Sequence, residues 1–520
     1  LTGAKRRARS TPQRTTPPLR NRHIVGTSIE GIERVPKRLR ALSGLDAAFL
    51  YLEAAGTPMH VGSVMLLQPP GRSLSAIHGP RGTRAPARRR RYDFHRELVA
   101  HVHERLPRAA ALRRVLHAAP FDLGHPMWAE GATPDLETHI QKRSLSKPGS
   151  LTQLWRLVAD LHAQALPRDR PLWQFVVIEG LASGEIALYS KVHHALLDGQ
   201  GGIALAQALL DVQPTMPGAA APPADDAGGA ARVRQRDLAH VAVRASVQQF
   251  AKLVRELPMT LRLATDAAAG AGNLVGRLRD SVTFAPRTPF NAQVGPRRSY
   301  AVASLPLDQV KHVARHFGAS LNDVVMALCA GALREYLVRR KALPKSALIA
   351  AMPVSLRAAG DSEVNNQVSM VQCMLPTQIA DPLERLRAIT AATSQIKRQV
   401  VSFRGLIPTD FPGLAAPIWA SGLSRLWARG RVAERLPPLA NLAISNVPGP
   451  PIPLYLAGAR VNHYFPASIV THGLGLNITV NSYAGQLEFG VIACRDIVPK
   501  PGILAAGLGR ALKVLVKQAK

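Results

Sequence analysis

His193 and His194 stand side by side at the end of an apolar run, and Asp198-Gly199 follows closely. A neutral imidazole with a pKa near working pH suits the removal of a proton from an attacking hydroxyl. Adjacent strand residues face opposite sides, so one histidine can enter a cleft while the other packs inward. A carboxylate four residues after the second histidine can return to hold an arginine or the imidazole. Gly199 permits the tight turn between them. By itself the motif is equally compatible with two ordinary histidines beside a turn. Other chemistries fit less well. The opposed side chains make a poor joint ligand set, and no third histidine, cysteine or carboxylate follows at metal spacing, so no metal is expected. Ser394 and Lys397 spell SxxK, but in helical sequence without partner motifs. No GxSxG elbow and no phosphate loop occurs.

These groups need a frame that delivers strand, turn and helix in that order. Residues 175–178 and 186–192 read as strands joined by the turn Ala182-Ser183-Gly184. The second strand leads straight into the histidines. Gly199, Gly201 and Gly202 break the chain, and residues 203–210 begin a helix. Folded sequence starts near Leu42, with a short helix at 45–51 and a strand at 60–67 ending at Pro69-Pro70. Residues 94–106 and 151–166 read as helices, the second closing at Pro167. Residues 214–229, rich in Ala, Pro, Gly and Asp, read as a linker. Residues 238–279 are long, basic, Ala-rich helical sequence broken at Pro258.

The second half repeats the alternation. Strands are expected at 300–305, 348–352, 368–375 and 442–445, and helices at 307–317, 324–339, 382–400 and 502–517. Residues 461–466, 476–483 and 487–493 are expected to complete one sheet edge. At 520 residues the chain is long for one core. The mixing argues for two α/β domains with mixed sheets. The boundaries are a basic, disordered extension over 1–41, a first domain over 42–212, a linker and helical connection over 213–285, and a second domain over 286–520.

Charge is unevenly spread. Residues 1–41 hold 11 Lys/Arg against Glu30 and Glu33, and residues 71–92 hold seven arginines and no acid. Half of the net charge of +32 therefore sits in an extension and an insert without a clear apolar period. Such segments read as solvated tails, or as attraction to anionic lipid or an acidic substrate. No recognition motif accompanies them, so no specific nucleic acid is expected. Cys329, Cys373 and Cys494 are far apart and suggest reduced core thiols in the cytoplasm. Lys5-Arg6-Arg7 is not followed by the apolar run of a secretory signal. No window offers about 18 uninterrupted apolar residues, the length of a spanning helix. Residues 408–427 are apolar but punctuated by Pro412 and Pro417, which suits an interface better than a span.

Further motifs stand around the histidines. Leu42-Ser43-Gly44-Leu45-Asp46-Ala47-Ala48-Phe49 is followed by Pro58-Met59-His60-Val61-Gly62, and Pro171-Leu172-Trp173 lies about twenty residues before the histidines. Asn322-Asp323 opens a helix. Pro353-Val354-Ser355-Leu356-Arg357, Asn366-Gln367-Val368-Ser369, Ser445-Asn446-Val447-Pro448-Gly449-Pro450 and Gly475-Leu476-Asn477-Ile478-Thr479-Val480 with Ser482-Tyr483 follow in order. Together they resemble the bacterial wax ester synthase/acyl-CoA:diacylglycerol acyltransferase family, which belongs with chloramphenicol acetyltransferases and peptide-synthetase condensation domains. The resemblance covers residues 42–70 and 93–515. Several ordered motifs are far more specific than one.

The resemblance implies two chloramphenicol-acetyltransferase-like domains with an active-site tunnel at their interface. It implies acyl-CoA as co-substrate, no bound cofactor, and diacylglycerol or a fatty alcohol as acceptor. His194 would be the general base beside His193. Asp198 would orient the loop through an arginine, and Gly199 would allow the bend. Pro171, Leu172 and Trp173 would shape the pocket or the core. Asn322 and Asp323 would cap their helix or line the site. Segments such as 476–480 and 324–328 would give the tunnel mainly apolar walls. The second enzymatic reading is condensation-type acyl transfer to another alcohol or amine. The third is a basic surface-binding protein with a degenerate acyltransferase fold, against which the intact motifs stand. The expected location is cytoplasmic, peripheral to the inner membrane or lipid droplets.

Overall fold

The computed structural model describes residues 39–70, 92–120, 125–197, 199–214, 237–238, 241, 243–244, 283–355, 368–403 and 435–520. Residues 1–38 and 71–91 of the basic segments, Asp198, residues 215–229 of the linker and most of the 238–279 helical stretch lie outside these residues. So do Leu356, Arg357, Asn366, Gln367 and the apolar stretch 408–427. The end of the expected disordered extension, Leu39–Ala41, is instead a strand held by backbone pairing.

Strands are numbered in chain order: β1 (Leu39–Ala41), β2 (His60–Gln68), β3 (Val115–His117), β4 (Met127–Ala129), β5 (Ile140–Ser144), β6 (Trp173–Glu179), β7 (Ile186–His193), β8 (Arg298–Pro306), β9 (Leu348–Ser355), β10 (Val368–Leu375), β11 (Leu442–Val447), β12 (Tyr455–Leu456), β13 (Ala459–Ala467), β14 (Leu476–Tyr483) and β15 (Gln486–Cys494). They form two six-stranded sheets, β12-β13-β2-β7-β6-β5 and β10-β9-β11-β14-β15-β8, and a small sheet β1-β4-β3. Both large sheets are mixed, as expected. In the first, only β5 and β6 are parallel. In the second, β11 runs parallel to both β9 and β14.

One strand departs from the sequence reading. Residues 461–466 were expected to share a sheet edge with 476–483 and 487–493. Instead β13 leaves the second half of the chain and pairs antiparallel with β2 in the first sheet, from Arg460 opposite Gln68 to Ala467 opposite Gly62. Alternation within a strand is a local signal and says nothing about which sheet adopts it. The crossing brings the sheets into close contact. Tyr300 Oη on β8 donates to Pro466 O at 2.8 Å, and His463 Nδ1 lies 2.9 Å from Glu488 Oε1 on β15. Gly490 is required there, because a Cβ would run into the Pro466 carbonyl.

The core of the second half is built on the Leu321–Arg339 helix. Its Ser320 hydroxyl and Asp323 carboxylate form a capping box that satisfies exposed N–H groups of the first turn. Apolar side chains surround most of the helix, so it is buried against the Pro382–Phe403 and Gly502–Gln518 helices. Residues 324–328 are buried in this core. Leu476, Ile478 and Val480 face the same core, whereas alternate residues on β14 turn toward the first sheet. There Asn477 donates to Ile469 O at 3.0 Å and Tyr483 to Val461 O at 2.8 Å.

The helix after the histidines also begins earlier than read. It spans Gly199–Leu209 and includes the three glycines expected to break it. Glycine costs only about 1 kcal/mol against alanine in a helix, so tertiary anchoring can override it. The far end is pinned: His101 Nε2 donates to Leu209 O at 2.7 Å, and Arg105 pairs with Asp211 at 2.7 Å. The three cysteines are free and buried. No single helix among the described residues is long and apolar enough to cross a membrane.

Candidate active site

The two histidines close β7 at the centre of the first sheet. β7 lies between β2 and β6, and His193 pairs with His60. Gly62 allows this close pairing, since a Cβ there would strike the Ser190 carbonyl. The backbone of the turn is held from both sides. His193 N–H donates to Leu172 O, and His194 N–H donates to Met59 O, each at 2.9 Å. Thus the Pro171-Leu172-Trp173 and Pro58-Met59-His60 motifs meet the histidines through main-chain bonds.

The side chains separate as strand geometry demands. His193 is 1% exposed. Its Nδ1 accepts the Ala195 N–H at 3.1 Å, which leaves Nε2 as the protonated nitrogen of the neutral ring. That nitrogen points at Glu53 Oε1, 3.4 Å away. This is electrostatic contact rather than a formed hydrogen bond. Half-buried His194 instead stacks on Phe49, with ring centroids 4.0 Å apart and an interplanar angle of 15°. Phe49 comes from the Gly44–Leu52 helix, which Ser43 caps by accepting the Asp46 N–H at 3.1 Å.

Glu53 ends that helix and was not singled out from the sequence. Its Oε1 accepts the Met59 N–H at 3.0 Å, and its Oε2 accepts from Arg168 Nη2 at 2.9 Å. Arg168 also donates to Leu50 O at 2.9 Å, holding the helix end. Burial alone would raise the Glu53 pKa. The His193 imidazole, the Met59 N–H and Arg168 outweigh it and bring the carboxyl to about 2. The group therefore stays ionised beneath the histidine turn. Its only sequence signal was position, just after the Leu42–Phe49 motif. Arg168 gave none.

The neighbouring histidines are structural. His60 Nε2 donates to His162 O at 2.9 Å. His162 Nε2 donates to Ser468 O at 3.0 Å, and its Nδ1 accepts from Tyr189 Oη at 2.7 Å. Burial first, then the neighbouring His162 and Lys191, pushes His60 well below the usual histidine range. Burial likewise brings His162 down to about 3. Lys191 donates to Leu161 O and Gln164 O at 3.1 and 2.9 Å, and burial lowers it to about 8. The second half of the chain reaches the same region through buried Arg298. Its Nη2 donates to Gly56 O at 2.6 Å, in the turn just before Met59.

The remaining motif residues divide. Pro171, Leu172 and Trp173 are buried. Trp173 Nε1 donates to Leu112 O at 2.9 Å, and its ring stacks on His139. These contacts are those of a core wall. Asp323 accepts from Ser320 N–H at 2.8 Å and from Thr393 Oγ1 at 2.6 Å, which makes it a helix cap. Asn322 meets Asn446 at 3.4 Å, so the Asn322-Asp323 and Ser445–Pro450 motifs join each other. Gly199 opens its helix, and Asp198 lies outside the described residues. Among the described residues, no group of three His, Cys, Asp or Glu is placed to hold a metal ion.

What this arrangement can do is present one imidazole beside a buried, ionised frame. Comparison with known proteins gives it a context. The family described as wax ester synthase/diacylglycerol acyltransferase catalytic domain matches residues 42–325, and its C-terminal domain matches residues 364–516. A Mycobacterium tuberculosis protein named "Probable diacyglycerol O-acyltransferase tgs2" is 34% identical over 487 residues, covering 90% of this chain and 97% of that one. Rv3740c of the same organism, provisionally assigned the same activity in its name, is 36% identical over 481 residues, covering 91% and 99%. The solved wax ester synthase/diacylglycerol acyltransferase from Marinobacter aquaeolei VT8 is 28% identical. It aligns with a TM-score of 0.62 over 92% of this chain and all of that one. The first condensation domain of the calcium-dependent antibiotic synthetase shares the fold, with a TM-score of 0.51 at 16% identity over 93% and 96% of the two chains. A match across both halves of the chain is decisive, and the protein belongs to the wax ester synthase/diacylglycerol acyltransferase family of acyltransferases.

Proposed function

We propose that this acyltransferase carries a long-chain acyl group from acyl-CoA to diacylglycerol or a fatty alcohol, with His194 as general base. The observation that carries the reading is the contrast between the paired histidines. His193 is buried against Glu53, while half-buried His194 is held by its backbone and by Phe49. His194 takes the acceptor hydroxyl proton as that oxygen attacks the thioester carbonyl. The C–S bond then breaks, and the departing thiolate takes the proton back from the imidazolium to give free CoA thiol. No acyl-enzyme and no bound cofactor are required. A general base of this kind contributes about 10²–10⁴-fold. Asp198 would orient the turn, and the substrates would meet in a tunnel between the sheets.

Purified protein given long-chain acyl-CoA, with diacylglycerol and hexadecanol offered in parallel, tests the activity directly. Release of CoA thiol with neither ester formed would overturn the reading. Acceptor choice should be broad, because a hydrophobic site discriminates one methylene by only about 1–3 kcal/mol. A competition series over alcohol lengths checks this. A cutoff of thousands-fold between neighbouring lengths would contradict it. The expected location is the cytoplasmic face of a membrane or a lipid droplet, bound peripherally through the basic segments 1–41 and 71–92. Flotation with anionic liposomes should then weaken with salt.

A further inference from the structure

The second half of the chain holds a cavity that shares no lining residue with the histidine site. It has a volume of about 160 Å³ and lies between the Leu321–Arg339, Pro382–Phe403 and Gly502–Gln518 helices. Its walls are largely apolar, from Ala327, Ala511, Val514 and Leu515. Three charged residues also line it, Glu335, Arg385 and Arg510, and of these Glu335 and Arg510 pair with each other. Arg385 is only 6% exposed, and its Nε is buried without a hydrogen-bond partner. Its Nη1 donates to Ile379 O at 2.8 Å and Ala380 O at 3.3 Å. Gly331 lets the neighbouring helix pack closely, since a Cβ there would lie 3.1 Å from Ala511 Cβ.

Among the described residues, Arg385 hydrogen-bonds to carbonyls and to no carboxylate. Asp381 is committed to capping its helix, accepting from Leu383 and Glu384 N–H at 2.9 and 2.8 Å. Glu335 is held by Arg510 at 2.8 and 3.0 Å and by Arg339 at 2.6 Å. Burial, and then the nearby charge of Arg334, lower the Arg385 pKa, against an opposing pull from Asp381. A buried charge without a partner costs several kcal/mol, which an incoming anion would relieve.

The surroundings select among anions. Glu335 and Arg510 line the same cavity as an ion pair, so Arg385 leaves one positive charge to compensate, which a singly charged anion matches. A guanidinium binds a carboxylate well through paired N–H donors. The space is half open to solvent, and its volume compares with engineered cavities of about 150 Å³ that hold a six-carbon ring. We propose that this cavity binds the carboxylate of a single-chain aliphatic acid, with the head group on Arg385 and the chain against Ala511, Val514 and Leu515. The inference goes beyond the acyl-transfer reading and does not depend on it.

The full chain can be titrated calorimetrically with octanoate, octanol and inorganic phosphate. Saturable octanoate binding is expected, phosphate should not bind comparably, and any octanol binding at the acceptor site should be unchanged in Arg385→Gln. Arg385→Gln removes the charge and should weaken octanoate by about tenfold or more, as for a lost charge-assisted hydrogen bond. Because Arg385 also braces the Ile379 and Ala380 carbonyls, a second variant guards against simple unfolding. Val514 is 43% exposed at the rim, so Val514→Asp should fold normally yet repel the carboxylate to a similar degree. Octanoate affinity unchanged in folded Val514→Asp, no saturable binding to the parent, or phosphate bound as tightly as octanoate would each overturn the proposal.

Discussion

Glu53 Oε1 faces His193 Nε2 across 3.4 Å, so a carboxylate at a helix end underlies the turn that presents His194. This predicts a pH signature. The Glu53 pKa falls from 4.5 to about 2 on folding. Its contribution is therefore complete above pH 4.5 and is lost as pH falls toward 2. At 1.36 kcal/mol per unit it amounts to about 3 kcal/mol. Glu53→Gln should lower stability at pH 7, and the gap to the parent should close in acid. Urea unfolding from pH 7 to pH 3 measures it, and a gap independent of pH would refute the assignment. The same variant should lower kcat more than it raises KM, since Glu53 acts through His193.

His194→Ala should reduce acyl transfer by about 10²–10⁴-fold while thermal unfolding stays cooperative, because a half-buried base is removed rather than a core group. His193→Ala should instead lower the melting temperature, since a buried ring that organises the turn is lost. Near-normal turnover in folded His194→Ala would remove it from the chemistry.

Arg298→Met should harm both stability and rate. The guanidinium crosses from β8 to the Gly56 carbonyl and also donates to Gly295 O at 2.7 Å. Losing it leaves buried acceptors unpaired at about 1–3 kcal/mol each and frees the turn that leads into Met59. A variant destabilised but fully active per folded molecule would show that the turn needs no support from the second sheet.

Asp323→Ala should act on stability alone. It removes half of a capping box and the acceptor for Thr393, worth about 1–3 kcal/mol. KM for acyl-CoA should not change. A large KM effect at unchanged stability would place Asp323 against substrate instead.

Much of the frame was legible because its signals are local. The strand into His193, the hairpin before it and the Leu321–Arg339 helix show their periodicity and caps in neighbouring residues. Short polar β5, with Ile140-Gln141-Lys142-Arg143-Ser144, carries no such period and was missed. Its place is set by parallel pairing with β6. The glycines at 199, 201 and 202 misled for a related reason, since intrinsic propensity is weak beside the anchors at His101 and Arg105.

By itself the sequence determined the chemistry on offer. Two adjacent histidines at a strand end must point apart, and the ordered motifs around them mark one acyltransferase family. Only the tertiary structure decided which groups serve those histidines. Glu53, Arg168 and Arg298 reach the turn from separate parts of the chain, and β13 crosses into the first sheet. The reason is physical. A side chain's facing direction follows from its immediate neighbours. Its partners depend on long-range burial, where an ionised group such as Glu53 is tolerated only once distant donors close around it.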